Sequence, residues 1–220
     1  MTDGAFTNVL MLPPQDETPP TAAVLLLHGV GSNGEDLLGL APFWAKDMPH
    51  VAFISPDAPF AYDMAPMGFQ WFSLQDRVES RIVQEVDIAA KLLDELIDTI
   101  MERLSIPAER IVLVGFSQGT MMSLHVGLRR EHGIGGVIGY SGRLINPGAL
   151  PAEVKSKPPI LLVHGDADPV VPFDSLALAK TALEANGVEV KTLACPGTGH
   201  SIDEAGLDAG LAFLKEVLPG

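Results

Sequence analysis

A single cysteine, Cys195, leaves this 220-residue chain with no possible internal disulfide. That usage suits a reducing compartment and predicts a cytoplasmic protein. Basic residues are scarce, 14 against 28 acidic ones, for a formal net charge of −14. Such a field repels phosphate backbones and anionic lipid, which argues against nucleic-acid and membrane-surface roles. No apolar run approaches bilayer-spanning length; the strongest, residues 22–27, is only strand-sized, so no stable membrane insertion is expected. The first eight residues show no basic stretch followed by an apolar core, so no secretory leader is visible. No group of His and Cys has metal-ligand spacing, and Asp166, Asp168 and His164 would make only an improvised site, so no metal is expected.

The chain does contain a regular alternation. Apolar strand-like runs at 6–12, 23–28, 51–55, 110–116, 134–140, 159–164 and 188–195 are separated by segments of helical period. Most are continuous runs of Val, Ile and Leu, as in strands covered on both faces. The clearest helix, 82–104, carries Val86, Ala89, Leu93, Ile97, Ile100 and Leu104 on one face and mostly charged residues on the other. A last helix sets Leu207, Leu211, Leu214 and Leu218 on one stripe. Gly206 and Gly210 weaken it by roughly 1 kcal/mol each relative to Ala unless close packing requires them. The pattern predicts one α/β domain over 1–220, a mostly parallel central sheet with helices on both faces and a minimal lid. The excursion 57–80, with Met64, Met67, Phe69, Trp71 and Phe72, is too long and too apolar for an ordinary connection.

Gly115-Phe116-Ser117-Gln118-Gly119 follows the apolar run Ile111 to Val114 and opens a helical segment. This G-x-S-x-G, between strand and helix, is the context in which a serine is held strained at a strand tip, with glycines relieving the crowding. The helix N-terminus then offers N–H groups to an oxyanion. Such a nucleophile needs an acid and then a histidine downstream. The strand 159–164 runs into a turn holding Asp166 and Asp168. Asp168, further into the turn and followed by Val-Val-Pro, is the preferred acid, and Asp166 is expected to brace the turn. Among the histidines after Ser117, His132 sits at a polar helix end and His164 precedes the acid at a strand tip. His200 occupies a Gly-rich loop between last strand and last helix, where a base can reach back to the serine. The early loop Leu27-His28-Gly29-Val30-Gly31 completes the set, with the N–H groups of Val30 and Gln118 expected to form the oxyanion hole.

Gly29-Val30-Gly31-Ser32-Asn33-Gly34 also reads as G-x-G-x-x-G, a dinucleotide cradle. It follows the second strand rather than the first, its acid Asp57 comes late, and it leaves Ser117, Asp168 and His200 without a role; no cofactor is expected. A catalytically silent binding module is the other alternative, but it would ordinarily have lost part of the triad, which here is complete.

Taken together, the motifs at 27–31, 70–73, 115–119, 141–144, 164–172 and 199–201 resemble the phospholipase/carboxylesterase family, which includes acyl-protein thioesterases and small bacterial carboxylesterases. The resemblance implies an α/β-hydrolase fold and cofactor-free hydrolysis of short- to medium-chain carboxylic esters, with thioesters or lysophospholipids as possible relatives of that substrate. It also implies that Trp71, Phe72 and Val170 line an acyl groove beside the serine. The expected partner is a small-molecule ester, and the expected state a monomer or homodimer. Thr120-Met121 after the elbow departs from the small residue usual among the thioesterases of the group, whereas Gly-Thr-Gly before His200 follows the bacterial branch.

Overall fold

In a computed structural model, which describes residues 6–219, seven strands form one sheet. They are β1 (Val9–Leu12), β2 (Ala22–Leu27), β3 (Val51–Pro56), β6 (Ile111–Phe116), β7 (Gly136–Tyr140), β8 (Ile160–Gly165) and β9 (Val190–Cys195), in the order β1-β3-β2-β6-β7-β8-β9. Only β1 is antiparallel to its neighbour; every other pairing is parallel. All seven expected runs contain strands, the first beginning three residues later than its apolar pattern suggested and the fifth and seventh two.

Parallel strands need crossovers, and helices supply them: α1 (Gly34–Leu38), α2 (Ala41–Ala45), α3 (Glu79–Leu104), α4 (Gln118–Arg129), α5 (Leu150–Glu153), α6 (Asp174–Ala185) and α7 (Glu204–Val217). The strands are covered on both sides. Along β2, Ala23, Leu25 and Leu27 enter the core beneath α3, α4 and α6, while Ala22, Val24 and Leu26 enter the core beneath α2 and α7. Ile111 and Leu113 of β6 face the first core, Val112 and Val114 the second. Period-two alternation is thus present but hidden, because both faces are apolar.

The two glycines of α7 are explained by close packing. A Cβ on Gly210 would lie 2.2 Å from the Tyr140 hydroxyl and 3.0 Å from the Trp44 ring. Tyr140 donates to Gly206 O at 3.0 Å, and the Trp44 indole donates to Leu207 O at 3.1 Å. Helix propensity is given up there for an approach that lets two buried aromatics bond the helix backbone. The excursion 57–80 contains a hairpin that the apolar pattern did not reveal, β4 (Phe60–Ala61) with β5 (Phe69–Gln70).

Candidate active site

The site forms at the carboxyl ends of the central strands. Ser117 immediately follows β6 and has φ 53° and ψ −112°, a conformation that costs a non-glycine residue about 1–3 kcal/mol. Its surroundings enforce the turn. A Cβ on Gly119 would lie 1.8 Å from Leu27 O, and one on Gly115 would lie 2.3 Å from the Gly119 backbone. Ser117 N–H donates to Tyr140 O at 2.9 Å, tying the elbow to β7. The Thr120 hydroxyl sits 2.8 Å from the carbonyls of both Gly115 and Tyr140, donating to one at a time. Although Ser117 occupies the N-cap of α4, its hydroxyl makes no capping bond, since capping needs an extended backbone there. That leaves the oxygen uncommitted.

Asp168 and His200 meet at 2.8 Å through Oδ2 and Nδ1. The Asp168 side chain has no exposed surface, and its other oxygen accepts from Val170 N–H at 2.8 Å and Val171 N–H at 2.9 Å. Burial alone would raise its pKa; the bonds from His200, Val171 and Val170 outweigh that and hold it below the ordinary carboxylate value. His164, also buried, donates through Nε2 to Val171 O at 3.0 Å and lies 3.3 Å from Asp168 Oδ2, the oxygen that faces His200. The His200 ring stands over Phe116, the residue before the serine, with centroids 4.8 Å apart. Among the described residues, no hydrogen bond joins the Ser117 hydroxyl to His200. Asp166 braces the histidine loop rather than its own turn, accepting from Gly197 N–H at 2.6 Å. His132 is exposed.

Val30 and Gln118 each come three residues after the last pair of the β2–β6 ladder, Leu27 with Gly115, so their loops leave the sheet at the same edge. Gln118 opens α4, so its N–H has no intrahelical acceptor. The neighbours of Val30 are committed, Gly31 N–H to Phe69 O at 2.8 Å and Ser32 N–H to Gly29 O at 3.3 Å. His28 fixes this loop from within. Its Nδ1 donates to Gly29 O at 2.7 Å and its Nε2 accepts from Ala58 N–H at 2.9 Å, a pairing that requires the neutral ring. Burial lowers its pKa, in keeping with that form.

The groove expectation needs correction. Trp71 is 0% exposed and Phe72 1%, so neither side chain lines an open groove; Val170, at 63%, does face outward. The Trp71 indole is held inside by its bond to His28 O at 2.9 Å. The sequence neighbours of the buried pair, Gln70 and Ser73, instead line a cavity of about 260 Å³ together with Phe60, Glu85 and Ile88. The dinucleotide reading meets a further obstacle. The Asp57 carboxylate accepts from Gly34 N–H at 2.7 Å, at the first turn of α1 where a pyrophosphate would have to sit.

The sequence model of the phospholipase/carboxylesterase family matches residues 14–218. The chain belongs to that family. This family member is 33% identical over 216 residues to acyl-protein thioesterase 1 of Gibberella zeae, covering 90% of this chain and 92% of the relative. It is 32% identical over 208 residues to acyl-protein thioesterase 1 of Schizosaccharomyces pombe, with 90% and 92% covered. Among solved structures, the crystal structure of esterase PE8 superimposes with a TM-score of 0.90 at 36% identity, covering 95% of this chain and 98% of that one. The phospholipase/carboxylesterase member is therefore an enzyme of the α/β-hydrolase fold, a hydrolase of esters or thioesters. Among its described residues no helix is long and apolar enough to cross a membrane.

Two functional groups escaped sequence reasoning. His28 was visible only as part of a loop motif, and the Gln118 side chain had no assigned task. Bonds to residues distant in sequence, Ala58 for one and Trp71 for the other, leave no periodic trace.

Proposed function

We propose that the chain is a cytoplasmic serine carboxylesterase acting on short- to medium-chain esters through an acyl-enzyme on Ser117. His200 takes the Ser117 proton as the oxygen attacks the carbonyl, closing on the hydroxyl once substrate is seated; such bonds are commonly loose in unliganded enzymes. Asp168 fixes the His200 tautomer with Nδ1 protonated and stabilises the imidazolium. The N–H groups of Val30 and Gln118 receive the charge that develops on the carbonyl oxygen. The imidazolium protonates the departing alcohol, and water, deprotonated by the same ring, then releases the acid.

The observation that carries this reading is the 2.8 Å bond to a fully buried carboxylate from a histidine whose ring packs, tilted, against the residue before a strained serine. Ser117→Ala should lower kcat by a factor on the order of 10⁶ and abolish labelling by a fluorophosphonate while the fold persists. Labelling that survives in Ser117→Ala would place the nucleophile elsewhere, and an unlabelled wild-type chain would favour a silent binding module. A second reading, thioester hydrolysis, is favoured by the two thioesterase relatives. A panel of p-nitrophenyl esters from acetyl to palmitoyl, with an acyl thioester beside them, decides between the two.

A further inference from the structure

The two proposed oxyanion donors stand on different loops, and no ladder bond joins them, because the pairing of β2 with β6 ends at Leu27 and Gly115. A third segment connects them instead. The buried Gln118 side chain accepts from Trp71 N–H through Oε1 at 2.8 Å and donates through Nε2 to Phe72 O at 2.7 Å. The Trp71 indole reaches across to His28 O at 2.9 Å. Two residues before Trp71, Phe69 is doubly bonded to the other loop, O from Gly31 N–H at 2.8 Å and N–H to Ser32 O at 2.9 Å. Residues 69–72 thus grip the elbow at one end and the 28–32 loop at the other.

We propose that residues 69–72 act as a strap that sets the spacing of the Val30 and Gln118 N–H groups, and that the Gln118 side chain is a positioning residue for the reaction. The inference rests on the assignment of those two N–H groups as the oxyanion donors. Stabilisation of developing charge depends on donors already fixed at bonding distance from the transition-state oxygen, not from the ground-state carbonyl. A strap that slackens should therefore weaken transition-state binding while leaving ground-state binding nearly intact. Gln118 carries both ends of this arrangement in one residue: its backbone N–H is a donor, and its amide holds the strap that reaches the second donor. Its amide also explains why Trp71 and Phe72 are core residues in a stretch apolar enough to suggest a groove. Their backbones are bonded to Gln118 and the Trp71 indole to His28 O, so neither side chain is left to line a groove.

The test uses the full chain and two variants, Gln118→Met, which keeps the length and loses both bonds, and Trp71→Phe, which keeps a ring and loses the indole donor. Active sites are counted with a fluorophosphonate, so that any misfolded fraction drops out of kcat. Each variant should lose about ten- to a hundredfold in per-site kcat on p-nitrophenyl butyrate with KM within about threefold. Affinity for an alkyl boronic acid, which forms a tetrahedral adduct on the serine, should fall by the same factor. A purely packing role predicts fewer active sites and a lower Tm, with per-site kcat and boronate affinity unchanged; that result overturns the strap. If boronate binds Ser117→Ala as well as the wild type, the nucleophile assignment itself fails, and the strap fails with it.

Discussion

The two halves of the site are built by different means. The elbow half, from β2 and β6, is fixed by backbone against backbone: Gly119 lies so close to Leu27 O that a Cβ would sit at 1.8 Å. The histidine half, from β8 and β9, has one such contact, at Gly165, where a Cβ would lie 2.1 Å from Thr198 O, and is otherwise fixed by carboxylates. Asp166 holds Gly197 N–H, Asp203 accepts from the Thr198 hydroxyl at 2.7 Å and from Gly206 N–H at 2.8 Å, and Asp168 holds His200. A nucleophile in a strained conformation needs rigid walls, whereas a base that must change charge is better served by groups able to answer that charge. The first half should therefore be intolerant of added atoms and the second, apart from Gly165, chiefly of lost charge.

Asp168→Asn sharpens the contrast most. An amide nitrogen in place of Oδ2 would face His200 Nδ1 and select the tautomer protonated at Nε2. The loss in kcat should be on the order of 10⁴ with little change in KM. Asp166→Asn should leave kcat per site near wild type and act through the 197 turn; reversed outcomes would exchange the two roles. Next in size is Gly119→Ala, where neither backbone partner can step aside. It should cost about 3–5 kcal/mol in denaturant unfolding, if the variant folds at all.

Acid should separate the halves by pH. Burial, reinforced by Arg129, pushes the pKa of His125 in α4 down to about 4, while the unfolded value is about 6.5. Below 6.5 the unfolded chain binds a proton that the folded one refuses, so stability falls as pH drops from 6.5 toward about 4, a loss limited by Asp87, whose carboxylate lies 3.1 Å from His125 Nε2. Asp168 and Asp203 have native pKa values below the ordinary carboxylate range, so what they contribute is intact above that range and lost only as pH falls through it. Tm measured against pH should decline in the first window, and the decline should shrink in His125→Leu to the part due to buried His28. A decline unchanged in that variant would assign it to other groups. Smallest is Gly199→Ala in the histidine loop, where an added Cβ meets nothing within 4 Å; unfolding free energy should move by no more than about 0.5 kcal/mol. A drop as large as that of Gly119→Ala would erase the distinction between the halves.

The same contrast governs what the sequence disclosed. Strands showed themselves because their apolar runs are properties of single segments, and Ser117, Asp168 and His200 stood out because the loops carrying them have local signatures. The hairpin of β4 and β5 did not, since its strands have two residues each and no period to read. The excursion 57–80 was legible as unusual but not as divided: Trp71 and Phe72 turn inward while Met64 and Met67 remain exposed. Gly206 and Gly210 looked like defects until Tyr140 and Trp44, from elsewhere in the chain, came to lie against them. Composition reports whether a segment can be buried; it does not report what buries it.

Thr120 carries a historical consequence. A Cβ on Gly139 would lie 2.4 Å from its methyl group, and one on Gly142 would lie 2.3 Å from its own Cβ. Positions 120, 139 and 142 therefore share one small volume, and threonine at the first forbids alanine at the other two. A lineage with glycine at 120 is relieved of the tightest contact at 139 and 142, where only Leu162 Cδ2 and Ser117 O, each at 3.0 Å, still crowd an added Cβ; one that has acquired threonine has closed those paths behind it. Substitutions at the three sites should accordingly be order-dependent, with 139 and 142 becoming permissive only after 120 has shrunk. Residues transplanted singly between members of the family will misreport their own cost here unless all three travel together.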